Sequence, residues 1–360
     1  MARDDAGRDD VAQDGAGQDD AGQGGEPEAP PGIDLVRIRR HLAAVLDAGP
    51  VGPLTAAVIA GGRSNVTYRV TDGRSVWVVR RPPLGGVLAT AHDVAREARV
   101  MQALAGTAVP VPPVLHLCED SDVIGAPFVV MDYVDGIVLR SAKQMSVFRP
   151  DELRRASELL VDTLLALHEV DPDEVGLSRF GRPEGFLERN LRRWSTQWEQ
   201  SRTRDLPIVD RIAARLASDV PTTQRVSVVH GDYRLDNVMF VPDLAAVAAV
   251  VDWELSTIGD PLADLGLLLT YTEVAGEVLA TGSPPGLLDA EQTRARYGHA
   301  TTLDLDAIDW YTAFGVFKLA VILEGVHARY VAGATVGEGF ATMGSYVPVL
   351  AERAAALLEV

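Results

Sequence analysis

The sequence predicts an α+β protein of two lobes, a small lobe with an antiparallel sheet and a larger lobe that is mainly helical. Short β-branched runs separated by Gly and Pro turns fill the first part of the folded chain, and long runs with helical periodicity fill the rest. At 360 residues the chain also exceeds the usual size of one domain. We therefore expect one lobe over residues 33–134 and a second over residues 135–360.

The N-terminal segment has a composition that cannot form a packed core. Residues 1–32 repeat Asp, Gly, Ala and Gln and end in EPEAPPG. Because almost no apolar side chain is available for burial there, we predict a disordered acidic tail. Binding of a partner by this tail is the alternative, and a solvated tail is the favoured interpretation.

Charge and cysteine content argue against several function classes. The formal net charge is −18, and residues 135–360 contain 21 Lys and Arg against 33 Asp and Glu. A chain this acidic is poorly suited to bind nucleic acid or an anionic membrane. The single cysteine, Cys118, argues against a disulfide framework and a thiolate zinc site. We expect it to be a small buried hydrophobe.

The apolar segments predict no membrane association. No basic N-terminal region is followed by an apolar core, so the sequence predicts no secretory signal. The longest apolar run, residues 311–328, contains Lys318 and Glu324 and is therefore expected to be a buried helix. The expected location is the cytoplasm.

The first lobe is predicted to begin with a helix and a hairpin. Apolar periodicity over residues 35–48 predicts an amphipathic helix. Residues 58–70 predict two strands joined by a glycine turn that contains Gly62, Ser64 and Asn65. Free N–H groups in such a turn suit a loop over phosphates, although any hairpin turn uses Gly and Asn. The chain has no Walker sequence, which argues against a P-loop enzyme.

A third strand and a second helix follow. Residues 76–81 predict a strand in which Arg80 and Arg81 lie on opposite faces. Arg80 is a candidate to bind phosphate through its planar guanidinium. The alternative is that Arg80 and Arg81 are both ordinary charges on an edge strand. Residues 93–104 predict a helix with Glu97 near its middle. A proline-rich connector then leads to an apolar strand over residues 128–134.

The second lobe is predicted to be built from helices. They cover residues 151–170, 186–202, 265–272, 311–328 and 344–358. His168, near the end of the first of these, is expected to be a packing or capping residue.

One of these helices carries a basic and aromatic patch, formed by Arg189, Arg192, Arg193, Trp194 and Trp198. The patch could contact an anionic substrate. A surface helix that packs its two Trp residues is the favoured interpretation.

Three short apolar strands are predicted to end at polar side chains. One run delivers His230 and Asp232, Asn237 opens the next, and a third ends at Asp252. Asp232 can accept the proton of an attacking hydroxyl, while Asn237 and Asp252 can hold Mg²⁺ against phosphate oxygens. Arg234 lies inside the same loop, and we group it with His230 and Asp232 as catalytic. A hairpin with a buried His and two capping Asp residues is the alternative.

The spacing His-Gly-Asp, four residues, Asn, with Asp252-Trp253-Glu254 after it, resembles the aminoglycoside phosphotransferase family, a branch of the protein-kinase-like fold. The resemblance covers about residues 33–335. Residues 168–194 and the run DWELSTIGDPLAD are most similar to a subgroup whose domains occur fused to acyl-CoA dehydrogenase modules. For that subgroup the resemblance implies phosphorylation of hydroxyacyl substrates.

The resemblance also implies roles for residues of the first lobe. Arg80 stands where protein kinases have a Lys on the corresponding strand. The resemblance implies Glu97 as the ion-pair partner of Arg80, and the alternative is that Glu97 is a solvated charge on the helix. Gly62, Ser64 and Asn65 would cover the phosphates. The hinge between the lobes is implied as the adenine site. There the backbone of Asp132 and Val134 would bind the adenine edge, and Met131 would line its pocket. In the second lobe, Asp260 and Asp264 would tether the catalytic loop.

The implied activity is an ATP- and Mg²⁺-dependent phosphotransferase that acts on an alcohol group of a small molecule, with the oligomeric state left open. An aminoglycoside or other antibiotic as acceptor is one alternative, because an acidic second lobe would steer polycations. A nucleotide-binding pseudokinase with a regulatory role is another. A protein kinase is disfavoured, since neither Phe-Gly after Asp252 nor Ala-Pro-Glu occurs.

Overall fold

A five-stranded antiparallel sheet forms the first lobe in the computed structural model, which describes residues 29–59, 65–84, 93–277, 284–334 and 340–360. The strands are β1 Thr55–Val58, β2 Val66–Thr71, β3 Val76–Arg81, β4 Val114–Cys118 and β5 Phe128–Asp132. Their order is β1-β2-β3-β5-β4, and each neighbouring pair is antiparallel. Burial alternates along β3, as the predicted period of two requires.

Two helices cover the sheet. Helix α1, Leu35–Val45, begins at Asp34, whose side chain accepts two backbone N–H hydrogen bonds. It buries Ile38 and Leu42 against one face of the sheet. Helix α2, Val94–Leu104, belongs to the core on the other side. Buried sheet residues on the α1 side are Tyr68, Val70, Trp77, Val79, Phe128 and Val130.

The second lobe is mainly helical. Its helices are α3 Ala142–Met145, α4 Pro150–His168, α5 Phe186–Ser201, α6 Pro207–Ser218, α7 Leu262–Glu277, α8 Ala290–Ala300, α9 Ile308–Val331 and α10 Met343–Leu358. A long core of Leu, Val and aromatic side chains joins them and continues under α2 and the inner face of the sheet.

Short strands between α6 and α7 carry the polar motif. Strand β7, Ser227–Val229, pairs with β10, Thr257–Gly259. Strand β8, Val238–Phe240, lies between β6, Ile137–Val138, and β9, Val247–Val250. Because β7, β8 and β9 end close to one another, the predicted polar side chains meet at one place between the lobes.

Helix α9 is the one helix of the described ranges that is long and apolar enough to cross a membrane. In the fold it packs between α7 and α10. Its two charged interruptions have partners, because Lys318 bonds to the backbone of Gly231 and Glu324 accepts hydrogen bonds from Thr203. It is therefore a core helix of this structure, as predicted from the sequence.

Two sequence predictions concern residues outside the described ranges. Residues 1–28 of the predicted tail lie outside the described residues, and so do residues 60–64 of the predicted glycine turn. The proposed phosphate contacts of Gly62 and Ser64 therefore stay predictions.

Candidate active site

The loop after β7 makes a turn that only glycine accommodates. Gly231 has φ +82°, in the left-handed region, and a Cβ atom on it would lie 2.6 Å from the carbonyl oxygen of Leu255. The residue between His230 and Asp232 must therefore be small and left-handed. This explains why Gly231 stands where the His-Arg-Asp sequence of protein kinases has Arg.

Asp264 fixes the loop after β7 by accepting hydrogen bonds from two of its backbone N–H groups. Its Oδ2 accepts the His230 N–H at 2.6 Å and its Oδ1 accepts the Gly231 N–H at 2.8 Å. Burial by itself would raise the pKa of this carboxyl, but the His168 ring and the Gly231 N–H outweigh burial and lower it. Asp264 is therefore held as a carboxylate. The side chain of Asp260 instead accepts the Tyr311 hydroxyl hydrogen bond at 2.8 Å.

His230 is completely buried and joins two parts of the site. Its Nε2 lies 3.0 Å from the carbonyl oxygen of Val251, and its Nδ1 accepts the Asp232 N–H at 3.3 Å. This pattern assigns the proton to Nε2. The ring also packs 4.7 Å from the Trp253 ring. Because it has no exposed surface, His230 acts as a positioning residue rather than by contact with substrate.

Asp232 is held from two sides. The Asn237 amide nitrogen donates to the Asp232 carbonyl oxygen at 2.8 Å and to its Oδ2 at 3.1 Å. The Tyr271 hydroxyl donates to Oδ1 at 3.3 Å. The side chain keeps 26% of its surface exposed, so a substrate hydroxyl can still reach the carboxylate.

Asp252 and Asn237 have the donor set of a hard cation. Asp252 has φ +69°, an uncommon conformation for a residue other than Gly, and its carboxylate is 33% exposed. The Asn237 nitrogen is engaged by Asp232, which leaves the amide oxygen for a cation. Carboxylate and amide oxygens are the ligands that Mg²⁺ prefers, so both residues fit the predicted metal site.

Arg80 bridges the two lobes. Its Nε lies 2.9 Å from Glu97 Oε2 on α2, and its Nη2 donates to Asp252 Oδ1 at 2.8 Å. Burial would lower the pKa of Arg80, but the two carboxylates outweigh it and raise the pKa. The pairing of Arg80 with Glu97 is present as predicted. The alternative of a solvated Glu97 is wrong, because this side chain is 2% exposed.

One prediction and one alternative for the first lobe differ from the structure. Asn65 is 2% exposed, and its amide donates to Glu97 Oε1 at 2.5 Å, so the side chain is turned to Glu97 and not to the phosphate position. Arg81 is not an edge-strand charge, since β3 is the middle strand of the sheet. Its buried guanidinium donates to the carbonyl oxygens of Gly32 and Ile124.

A cleft of about 480 Å³ lies between the lobes. Arg80, Glu97, Asn237 and Asp252 line its polar end. The three predicted hinge residues, Met131, Asp132 and Val134, line the cleft as well. The Asp132 N–H donates to the Pro113 carbonyl oxygen at 2.9 Å, so the Asp132 carbonyl is its hinge group for a base.

A second cavity, of about 180 Å³, is lined in part by Arg234, Leu235 and Asp236 of the catalytic loop, residues 230–237. It shares Arg140 and Asp236 with the cleft. Arg234 lines its mouth, where its guanidinium pairs with Asp236 at 2.9 Å and lies 4.9 Å from the centre of the Tyr271 ring. Its walls are mostly apolar: Leu139, Met145, Leu160, Val161, Leu268, Leu287 and Leu288.

Two contacts at the loop were missed from the sequence. Lys318 of α9 donates to the Gly231 carbonyl oxygen, and Tyr271 of α7 donates to Asp232. The contact of Lys318 could have been expected from the sequence, because Lys318 stands alone in an apolar run and a buried ammonium needs a partner. No local pattern marks Tyr271.

The predicted patch on α5 is mainly a packing surface. Trp198 is buried in the core and Trp194 packs against it. Arg189 bonds to the carbonyl oxygens of Arg182 and Glu184. His168 is buried and bonds to the Tyr297 hydroxyl, which agrees with its predicted packing role.

Several known proteins have sequences similar to this one. The sequence profile of the phosphotransferase enzyme family matches residues 55–311. Acyl-CoA dehydrogenase family member 10 of Mus musculus is 34% identical over 309 residues, which cover 82% of this chain and 28% of that protein. Acyl-CoA dehydrogenase family member 11 of Gallus gallus is 35% identical over 317 residues, which cover 84% and 40%. The chain thus spans less than half of the length of these relatives.

Solved structures share the fold. A candidate aminoglycoside phosphotransferase from Ralstonia eutropha JMP134 has a TM-score of 0.79 at 32% identity, covering 91% of this chain and 98% of that one. The AMP-PNP and hygromycin B complex of aminoglycoside phosphotransferase APH(4)-Ia has a TM-score of 0.58 at 16% identity, covering 89% and 97%. The predicted two-lobed kinase-like fold is confirmed, and so is the resemblance to aminoglycoside phosphotransferases and acyl-CoA dehydrogenase proteins.

Proposed function

The chain belongs to the phosphotransferase enzyme family, and from this premise we propose that it transfers the γ-phosphoryl group of ATP to a hydroxyl of a small acyl substrate. The observation that carries the proposal is the grouping of Asp232, Asn237 and Asp252 beside the cleft between the lobes. Solved relatives bind AMP-PNP, ADP or GDP, which supports use of a nucleotide.

The cleft suits a nucleotide in one orientation. Met131 and the apolar residues Val78 and Ile137 line the cleft and offer apolar surface against which a flat base would pack. The Asp132 carbonyl and the Val134 N–H are the hinge groups proposed to bind the adenine edge. Arg80 lies at the polar end, so the phosphates would lie towards the loop that carries Asp232.

The polar end of the cleft would hold the phosphates and Mg²⁺. Asn237 and Asp252 would ligate the cation through oxygen atoms. When bound, Mg²⁺ neutralises charge that develops on the transferred group. Arg80 keeps its place because Glu97 fixes the Nε edge of the guanidinium. Its remaining N–H groups can then turn from Asp252 to a phosphate oxygen.

Asp232 is proposed to orient the acceptor hydroxyl and take its proton. Asn237 and Tyr271 fix its two carboxylate oxygens, so the carboxylate has one preferred direction. Asp264 and His230 hold the backbone on which Asp232 stands. Most of the catalytic effect would come from this positioning, as expected for a loose transition state.

The second cavity supports an acyl acceptor. It lies against Tyr271 and Arg234, the neighbours of Asp232, and its walls are mainly Leu, Val and Met side chains. An apolar cavity of about 150 Å³ in another protein holds benzene, so 180 Å³ suffices for part of an aliphatic chain. Arg140 and Arg234 at its mouth would favour an anionic group. A polycationic aminoglycoside needs acidic walls, and Asp236 is the one acidic residue lining this cavity in the described part of the chain.

The direct test is Mg²⁺-dependent ATP consumption with a panel of acceptors: hydroxyacyl-CoAs, aminoglycosides, macrolides, choline-like alcohols and sugars. We expect turnover with hydroxyacyl-CoAs, with kcat lowered at least about 10³-fold by Asp232→Ala. Turnover with aminoglycosides instead would move the acceptor assignment to antibiotics. Tight Mg·ATP binding without turnover of any acceptor would favour the pseudokinase. Absence of nucleotide binding would overturn the kinase assignment.

A second variant tests the cavity alone. Leu287 is partly buried in its wall, and Leu287→Trp would fill the cavity. We expect kcat/KM for a long-chain acceptor to fall at least about tenfold with the KM for ATP unchanged. Leu287→Met conserves volume and is the matched control. Equal activity of both variants with long and short chains would place the acyl group elsewhere.

A further inference from the structure

A cluster of three metal-binding side chains lies in the first lobe, outside the cleft. It consists of His41 on α1 and of His116 and Cys118 on β4. One ligand atom from each residue lies within 4.8 Å of the ligand atoms of the other two. The centres of the two imidazole rings are 5.0 Å apart. These residues therefore meet although His41 precedes the strand by more than 70 residues.

The register of the sheet shows on which face the cluster lies. His116 is opposite Val130 of β5, and Cys118 is opposite Phe128. Directly opposed residues of an antiparallel pair point to the same face. Val130 and Phe128 belong to the core under α1, so the cluster lies on the face away from the nucleotide cleft.

The polar atoms of the cluster are poorly satisfied by the protein. His41 Nε2 is buried and has no hydrogen-bond partner in the described residues. The Cys118 thiol has only a long contact, 3.6 Å, to the carbonyl oxygen of Asp120. An unpaired imidazole nitrogen beside a weakly bonded sulfur is the environment that a soft or borderline cation satisfies.

We propose that His41, His116 and Cys118 form a Zn²⁺ site that clips α1 to the edge strand of the sheet. Imidazole nitrogen and thiolate sulfur are both ligands that zinc binds in proteins, and a water would complete the four-coordinate site. Binding forms the Zn–S bond and releases the thiol proton to solvent. The two His side chains are partly exposed, which leaves the ion a path to the buried sulfur.

The cluster is close to the size that zinc requires. With Zn–N near 2.0 Å and Zn–S near 2.3 Å, tetrahedral ligand atoms are about 3.3–3.6 Å apart. Since no separation in the cluster exceeds 4.8 Å, the ligand atoms have to approach by at most about 1.5 Å, which side-chain rotation of the partly exposed imidazoles can supply. The single cysteine argued against a thiolate zinc site in the sequence, whereas the proposed site adds two imidazoles, one of them from a distant helix.

The test uses the full chain, stripped of metal with a chelator and titrated with Co²⁺ and Zn²⁺. Because Cys118 is the sole cysteine, a sulfur-to-Co²⁺ charge-transfer band can arise from this site alone. We expect such a band, its loss on addition of Zn²⁺, and its absence in Cys118→Ser. His116→Gln should weaken Zn²⁺ binding at least tenfold. His299→Gln, at an exposed residue of α8, is the matched control and should bind like the natural chain.

Thermal unfolding separates metal binding from misfolding. Without metal, Cys118→Ser and the natural chain should have similar Tm values, and Zn²⁺ should raise Tm in the natural chain alone. A missing sulfur-to-Co²⁺ band would overturn the proposal. Zn²⁺ affinity that survives Cys118→Ser and His116→Gln unchanged would do so too, and would place the bound ion at other side chains. An equal rise in Tm on addition of Zn²⁺ to the natural chain and to Cys118→Ser would also overturn the proposal.

Discussion

Lys318 donates a hydrogen bond of 2.8 Å to the carbonyl oxygen of Gly231, 87 residues earlier in the chain. The ammonium lies 5.6 Å from the centre of the Trp194 ring. Burial lowers the pKa of Lys318, and the nearby carboxylates of Asp232 and Asp264 oppose that shift. Two side chains thus hold the backbone of the catalytic loop: Asp264 accepts hydrogen bonds from its N–H groups, and Lys318 donates one to its carbonyl group.

Replacing Lys318 by Met should lower kcat. The Met side chain fills the space but leaves the Gly231 carbonyl without its donor, so Asp232 loses its fixed position. A misplacement of about 1 Å can cost about 10²-fold in rate. We expect a fall of that order with the KM for ATP within about twofold, measured by steady-state kinetics. Lys143→Met, at an exposed residue of α3, is the control. An unchanged kcat would show that Asp264, His230 and Asn237 position the loop without Lys318.

Arg80 should tolerate Lys better than Met. Arg80 reaches Glu97 with Nε and Asp252 with Nη2, whereas the single ammonium of Lys can serve them less well. We expect Arg80→Lys to raise the KM for ATP about tenfold. Arg80→Met leaves the buried Glu97 with the Asn65 amide but without its cation, and should cost about 3–5 kcal/mol of unfolding free energy. Urea unfolding of both variants checks this, and equal stability would contradict the bridging role.

Glu97→Gln should remove a pH dependence of stability. Burial raises the pKa of Glu97 to about 7 from its ordinary 4.5, although Arg80 opposes the shift. Between those values the folded protein keeps a proton that the unfolded chain has released. The contribution of Glu97 to the unfolding free energy therefore declines as pH rises through this window, by up to about 3 kcal/mol, and is constant above it.

The measurement for Glu97 is urea unfolding of the natural chain and Glu97→Gln at about pH 5 and about pH 8. From the lower to the higher pH, the natural chain should lose stability relative to the variant. A stability difference that is the same at both values would mean that Glu97 titrates near its ordinary pKa.

Gly231→Ala should damage both stability and activity. A Cβ at this residue would lie 2.6 Å from the Leu255 carbonyl oxygen, in addition to the cost of the left-handed backbone. Gly73 has φ +85° with no atom within 4 Å of its would-be Cβ, so Gly73→Ala measures the backbone cost alone, about 1–2 kcal/mol. We expect Gly231→Ala to lose more than this in thermal unfolding and to lose kcat as well. Equal losses in the two variants would argue against the clash.

The sequence predicted the parts of the site that lie close together in the chain. Asp232 and Asp252 follow short strands and Asn237 precedes the strand between them, so the short apolar runs sufficed to place all three at one edge. The period of two placed Arg80 on the inner face of β3. Asp264 could be assigned because it follows Asp252 at a spacing typical of the family.

Contacts between distant segments could not be predicted in the same way. Lys318 and Tyr271 reach the loop from α9 and α7, and nothing in their neighbours marks the partner. Helices α6 and α8 were not predicted, and α8 has only two buried residues, so its apolar period is weak. Asn65 was assigned to phosphates because a glycine turn precedes it, whereas its position beside α2 turns it to Glu97.

The bond from Arg80 to Asp252 joins residues 172 apart, and Lys318 bonds to a residue 87 before it. During synthesis, the His-Gly-Asp segment leaves the ribosome well before the helix that supports its carbonyl group. A nascent chain that ends before α9 therefore contains every residue of the catalytic motif but lacks the conformation that makes them reactive. Because loop closure over such separations is slow, the active site is expected to be among the last parts of the molecule to form.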